Sequence, residues 1–108
     1  MAELGVLVGE ARSELEATHQ AREQALAACR EAIRACGLAI RAVHRLVPVD
    51  AEARMSEADS SLRRAQQALA PYPRLAAAGF LHDAEIMAEH GARYERCDVA
   101  MRYQPNSD

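Results

Sequence analysis

The chain has no lysine and no tryptophan, one phenylalanine and three tyrosines. So few aromatics leave little bulk for a thick globular core, and the abundance of alanine favours long helices packed at close range. Proline is missing from the first 47 residues, so nothing there forces a helix to stop. No apolar run reaches the length of a membrane span. The N-terminus carries Glu3 and no basic stretch, unlike a secretory signal. The three cysteines, Cys29, Cys36 and Cys97, are odd in number and have no paired spacing, which argues against a secreted disulfide framework. Cys29 and Cys36 lie seven residues apart on one helical face, roughly 10 Å by helix geometry and too far for a bridge. These features predict a soluble cytoplasmic protein with no membrane partner.

What is present is helical periodicity. The 108 residues suffice for one domain. Apolar or small residues recur at Leu4, Val8, Ala11, Leu15, Thr18, then Leu26, Cys29, Ile33, Cys36, Ile40, Val43 and Val47. The alternating steps of three and four mark a seam that packs against another helix, and the series slips at Arg22 as a stutter would make it. Pro48 ends this first helix. Asp50 is the expected cap of a second, from about Ala51 to Ala70, with Ala51, Met55, Ala58, Leu62, Ala65 and Leu69 on its core side. Pro71-Tyr72-Pro73 is a second break. A third helix is expected from near Arg74 through Leu75, Phe80 and Ile86 to His90, with the pattern fading beyond Gly91. The fold class is therefore all-α: an antiparallel bundle of about three helices with a long first helix. It forms one domain over residues 1–103, followed by a disordered tail at 104–108. A bundle this small buries a modest share of its surface, so self-association is expected.

Net charge is -3, and the whole-chain balance does not advertise a polyanion partner. All 13 basic residues are arginine, which fits the codon bias of a GC-rich genome and also a preference for planar, multidentate phosphate contacts. Arg30, Arg34, Arg41 and Arg45 are spaced four, seven and four apart. They fall on one arc of the first helix beside the apolar seam, with His44 at its edge and Gly37 within it. Such a stripe suits sugar-phosphate contacts. It equally suits a solvated helix flank paired with acids of the second helix, or neutralised by Glu23 and Glu31. Towards the other end, His82, Asp83, Glu85, Glu89 and His90 form a polar cluster. Glu85 and Glu89 are one turn apart, a spacing at which two carboxylates can share a divalent metal, and also that of an ordinary charged face. Glu16 and His19 have the Glu-x-x-His spacing of carboxylate metal bundles, but no partner helices supply the remaining ligands. No metal-type cysteine pair, phosphate-cradling glycine loop or nucleophile elbow is present.

The run from Arg22 to Arg45 resembles the first long helix of prokaryotic translin-family proteins. The carriers are Arg22-Glu23-Gln24-Ala25-Leu26 and Ala39-Ile40-Arg41-Ala42-Val43-His44-Arg45, followed later by Ala78-Gly79-Phe80-Leu81-His82-Asp83-Ala84. The resemblance covers roughly residues 1 to 90 and corresponds to the N-terminal half of that family. It implies an all-helical fold that assembles into hollow shells, single-stranded RNA or DNA as partner, and either self-association or a translin-like partner chain. The translin-associated factor X branch cleaves RNA with Mg²⁺ held by acidic residues, so Mg²⁺ is the one cofactor the resemblance brings in. The catalytic Glu-x-x-Glu motif of that branch is altered here. Its positions fall on Met87 and His90; a one-residue deletion instead puts the second on Glu89 and leaves Glu85 as the nearest candidate for the first. Glu85 and Glu89 are then the candidate catalytic residues, and with Asp83 the candidate metal ligands. The further helices that supply another acid in the family have no counterpart. The expectation is a single-strand nucleic-acid binder using Arg30, Arg34, Arg41, Arg45 and His44, oligomeric and not catalytic alone. The alternatives are a helical interaction module without nucleic-acid function, and a Mg²⁺-dependent endoribonuclease subunit.

Overall fold

In the computed structural model, the backbone is described for residues 2–102 and the side chains for residues 3–96. The tail predicted at 104–108 and the side chain of Cys97 lie outside the described residues. The fold is all-α: α1 (Ala2–His44), α2 (Pro48–Leu69), a short α3 (Pro73–Ala76) and α4 (Gly79–Arg102). No strand occurs among the described residues. No helix among them is long and apolar enough to cross a membrane.

α1 ends as the residues around Pro48 dictate, in a helix C-cap closed by two backbone bonds. The Leu46 amide donates to the Val43 carbonyl at 3.0 Å and the Val47 amide to the Ala42 carbonyl at 2.9 Å. This Schellman closure requires a left-handed residue at its first position outside the helix, and Leu46 occupies it with φ 62°. α2 then begins earlier than the sequence suggests. Pro48 is its first helical residue rather than a spacer, because a proline loses nothing where the amide has no helical partner. Val47 takes the N-cap position without a side-chain cap, and Asp50 lies in the first turn, where its charge favours the helix dipole.

Pro73 starts α3 by the same logic. The expected third helix is split: Ala77 and Ala78 turn, with the Ala78 amide donating to Leu75 at 3.0 Å, and α4 begins at Gly79. α4 also runs well past Gly91, the point where periodicity fades. Gly91 is no terminator. It is buried, and a Cβ on it would stand 2.9 Å from Met55 Sδ and 3.6 Å from Cys36 Cβ. Glycine is there because α1, α2 and α4 converge on that spot.

The core is a stack of three layers along α1. Ala25, Ala28, Cys29, Ala65, Leu69, Leu81 and Ala84 form the first. Ala35, Cys36, Ala39, Met55, Ala58 and Ala88 form the second. Ala42, Val43 and Ala51 form the third, with Tyr94 against it. The α2 core side is as expected, with Leu62 only partly buried. The α1 seam is not. Its buried face is Ala21, Ala25, Ala28, Cys29, Ala32, Ala35, Cys36, Ala39, Ala42 and Val43, while Leu4, Val8, Ala11 and Leu15 are exposed and Ile33 is 38% exposed. Partner helices seat on the alanine face because it lets backbones approach closely, which recovers dispersion contacts that larger side chains would hold apart.

The buried stretch of α1 starts at Ala21. Residues 3–20 are exposed apart from the half-buried Thr18, so this part of α1 extends as a single helical arm beyond the bundle. The molecule measures 85 × 18 × 15 Å.

Candidate nucleic-acid interface

Arg30, Arg34, Arg41 and Arg45 are all exposed. At about 100° of helix turn per residue they share an arc of about 60°, centred roughly 160° from the buried alanine face. The stripe therefore occupies the outer surface of α1, opposite the core, and not the margin of the apolar seam where the sequence spacing suggested it.

Pairing decides whether those guanidinium groups are available. Arg22 pairs with Glu23 at 3.6 Å, Arg54 with Glu57 at 3.0 Å, Arg64 with Glu31 at 2.7 Å and Arg93 with Glu89 at 2.9 Å. None of the four stripe arginines takes part in an ion pair among the described residues. The two acids that the sequence places near the stripe are engaged by other partners: Glu23 by Arg22, Glu31 by Arg64. Arg22 also stands over the Phe80 ring, 5.9 Å from its centroid.

The Glu31 arrangement is one that sequence reasoning missed. Ser61 is buried. Its hydroxyl accepts from Arg64 Nη2 at 2.8 Å and donates to Glu31 Oε2 at 3.4 Å, while Arg64 Nη2 donates to Glu31 Oε2 at 2.7 Å. Ser61 and Arg64 share a face of α2 at a spacing of three, but only Ser61 is buried beside the core and Arg64 is exposed, so no local pattern marks the pair. The contact sits in an open α1–α2 groove of about 560 Å³ whose lining includes Arg34, Arg54 and Arg64. Through Arg34 the groove joins the stripe.

His44 departs from the stripe. Its Nε2 lies 2.8 Å from the Tyr94 hydroxyl, and the two rings meet edge to face with centroids 5.1 Å apart. The ring is turned towards α4, so it clamps the end of α1 to the last helix.

The acidic cluster on α4 is not gathered into a metal centre. Glu85 accepts from Gln66 Nε2 at 3.0 Å and Glu89 from Arg93 at 2.9 Å. Asp83, His82 and His90 are exposed. Met87 packs against the second core layer. No group of three or more His, Cys, Asp or Glu side chains able to hold a metal occurs among the described residues. Glu16 and His19 lie on the exposed arm, away from other ligands.

Three other groups have shifted acidity. Burial raises the thiols of Cys29 and Cys36, helped by the charges of Glu85 and Asp59 respectively. Both are free and buried, so they behave as small core side chains and not as nucleophiles. The Glu95 carboxyl is raised by burial, then by Glu52 and Asp59 across on α2, with Arg96 opposing.

What the geometry offers is thus a basic outer face on α1, joined through Arg34 to the open α1–α2 groove. No protein-family model, no curated protein and no solved structure matches this chain.

Proposed function

We propose that the chain binds single-stranded nucleic acid, RNA or DNA, along the outer face of α1, with Arg30, Arg34, Arg41 and Arg45 on its phosphates and His44 turned away to hold Tyr94. The observation that carries this reading is the availability of the four guanidinium groups: they are exposed, they share one arc, and the nearby acids Glu23 and Glu31 are engaged by Arg22 and Arg64. A straight helix with arginines at spacings of four, seven and four presents charge along a line, as an extended backbone requires. The resemblance of residues 22–45 and 78–84 to the translin family points the same way.

The chain acts in this reading as a binder and not as a nuclease. Phosphodiester cleavage by a bound divalent cation needs several carboxylates converging on it with open positions for water and substrate. Glu85 and Glu89 are instead engaged by Gln66 and Arg93.

The test is oligonucleotide affinity across a salt series. Affinity should fall steeply with salt, and each lost phosphate contact should reduce the log–log slope by about 0.7. Arg34→Glu with Arg41→Glu should abolish measurable binding while leaving the circular dichroism spectrum unchanged. Unaltered affinity in that double variant would show that the stripe is only a solvated flank.

A further inference from the structure

We infer that two copies of this chain pair antiparallel, the exposed N-terminal arm of each α1 lying along the apolar flank of the other copy's α1. The observation behind this is that α1 carries two apolar stripes and its own bundle uses only one. The alanine face takes α2 and α4. The second stripe comprises Leu4, Val8 and Leu15 on the arm, and Leu26, Ile33 and Ile40 on the bundle portion. Helix geometry places all six within an arc of about 60°, roughly a quarter-turn from the arginine face. On the arm the stripe is bare: Leu4 is 63%, Val8 52% and Leu15 71% exposed. On the bundle Leu26 and Ile40 are half-buried and Ile33 is exposed. The bare stripe of the arm, continued by exposed Ile33 and the half-buried Leu26 and Ile40, calls for a second surface to cover it.

Charge selects which surface. Residues 2–20 hold Glu3, Glu10, Glu14 and Glu16 against Arg12, a net of -3. Residues 21–46 of the same chain hold Arg22, Arg30, Arg34, Arg41 and Arg45 against Glu23 and Glu31, a net of +3. Two arms laid against each other would set like charge on like. An arm on the other copy's bundle portion sets the acidic half beside the basic half, twice over by symmetry. Glu3, Glu10 and Glu14 project about 120° from the apolar stripe, on the side away from the arginines, so the attraction acts between the net charges of the two segments, is weakened by salt screening, and involves no specific ion pairs. A two-fold axis makes such an interface self-complementary and closed, so it yields a dimer and no open chain.

Length and spacing agree as well. Leu4 to Leu15 spans about 16 Å of helix and Leu26 to Ile40 about 21 Å, so the two segments are comparable in length, and with Leu15 set against Ile33 the arm lies over residues 33–44 and Leu4 reaches His44. Val8 and Leu15 are seven residues apart, as are Ile33 and Ile40. In an antiparallel register with Leu15 against Ile33, Val8 therefore meets Ile40. Each contact sets one large aliphatic side chain on another, two turns of helix apart. This pairing is independent of whether the arginine face binds nucleic acid, because that face is a quarter-turn away and stays outward.

Site-directed cross-linking of the full chain tests the arrangement. In a Cys97→Ser background, Leu15→Cys and Ile33→Cys are made separately, one carrying a mass tag, then mixed and oxidised. The buried Cys29 and Cys36 serve as the internal background. The expected product is the mixed cross-link between the two variants, in several-fold excess over either homodimer. A predominant Leu15→Cys homodimer would mean that arms pair with arms and would overturn the proposal. Sedimentation gives the second readout. The wild-type chain should sediment at twice its monomer mass at micromolar concentration, and Leu15→Glu, at an exposed position that the monomer fold does not use, should halve that mass with helicity unchanged. A wild-type monomer, or a Leu15→Glu dimer, would sink the idea.

Discussion

The Tyr94 hydroxyl and His44 Nε2 lie 2.8 Å apart, fifty residues apart in the chain, and this one polar contact ties the last turn of α1 to α4. The rings also meet edge to face. Tyr94→Phe keeps the ring contact and removes the hydrogen bond. It should cost about 0.5–1 kcal/mol, the range for a solvent-accessible bond exchanged for water. Urea denaturation would measure it, with the midpoint falling and the slope unchanged.

Leu46 is the position most easily improved. Its left-handed backbone, at φ 62°, costs a side-chain-bearing residue about 1–2 kcal/mol, and its side chain is 68% exposed, so little packing is at stake. Glycine removes the strain but adds freedom to the unfolded chain. Leu46→Gly should therefore stabilise the fold by about 0.5–1 kcal/mol. A lower thermal midpoint would show that Leu46 makes a contact that its exposure hides.

Neighbouring residues on α1 should respond in opposite order to their size. Ala32 is fully buried, and Ala32→Leu forces extra volume between closely packed helices at a cost of about 1–3 kcal/mol. Ile33→Ala removes more hydrocarbon but from a partly exposed flank. In a dilute monomer it should change stability by less than about 0.5 kcal/mol, as surface substitutions do. Paired unfolding curves of the two variants would check the ordering.

Glu95 gives the bundle a pH dependence of known sign. Burial first, then Glu52 and Asp59, raise its carboxyl above the ordinary range, so the folded chain holds this proton more tightly than the unfolded chain does. Stability from this group is full below the ordinary carboxylate value and is lost as pH rises through the raised value. Glu95→Gln should leave stability unchanged in acid and increase it at neutral pH. The difference between the two urea midpoints, followed across that interval, should open with rising pH. A difference that stays flat or closes would contradict the assignment.

Much of this fold is legible in the sequence, and the misreadings have physical causes. The proline breaks and the three-four series give the long first helix and the second helix. The core side of α2 is readable because its large and small apolar residues fall on one stripe. On α1 they fall on two adjacent stripes, both at helical spacing. A reading weighted by side-chain size picks Leu4, Leu15 and Ile33, whereas the fold buries Ala25, Ala32 and Ala39. Gly91 reads as a helix end, yet its role is to let Met55 approach, which no local pattern reveals. The exposure of Arg30, Arg34, Arg41 and Arg45 follows from their polarity. That Glu31 belongs to Arg64, and His44 to Tyr94, depends on how three helices dock.

An alanine-lined face also changes what folding must organise. Alanine loses no rotamer freedom on burial, whereas a buried leucine or isoleucine gives up about 0.5–1 kcal/mol of side-chain entropy and a methionine more. Of the ten buried residues on α1, seven are alanine. Nearly all the side-chain ordering in this core therefore falls on the facing helices, on Met55, Leu69 and Leu81. α1 works as a smooth track with its register set from outside, and the few large side chains seated on it fix where along that track the other helices stop.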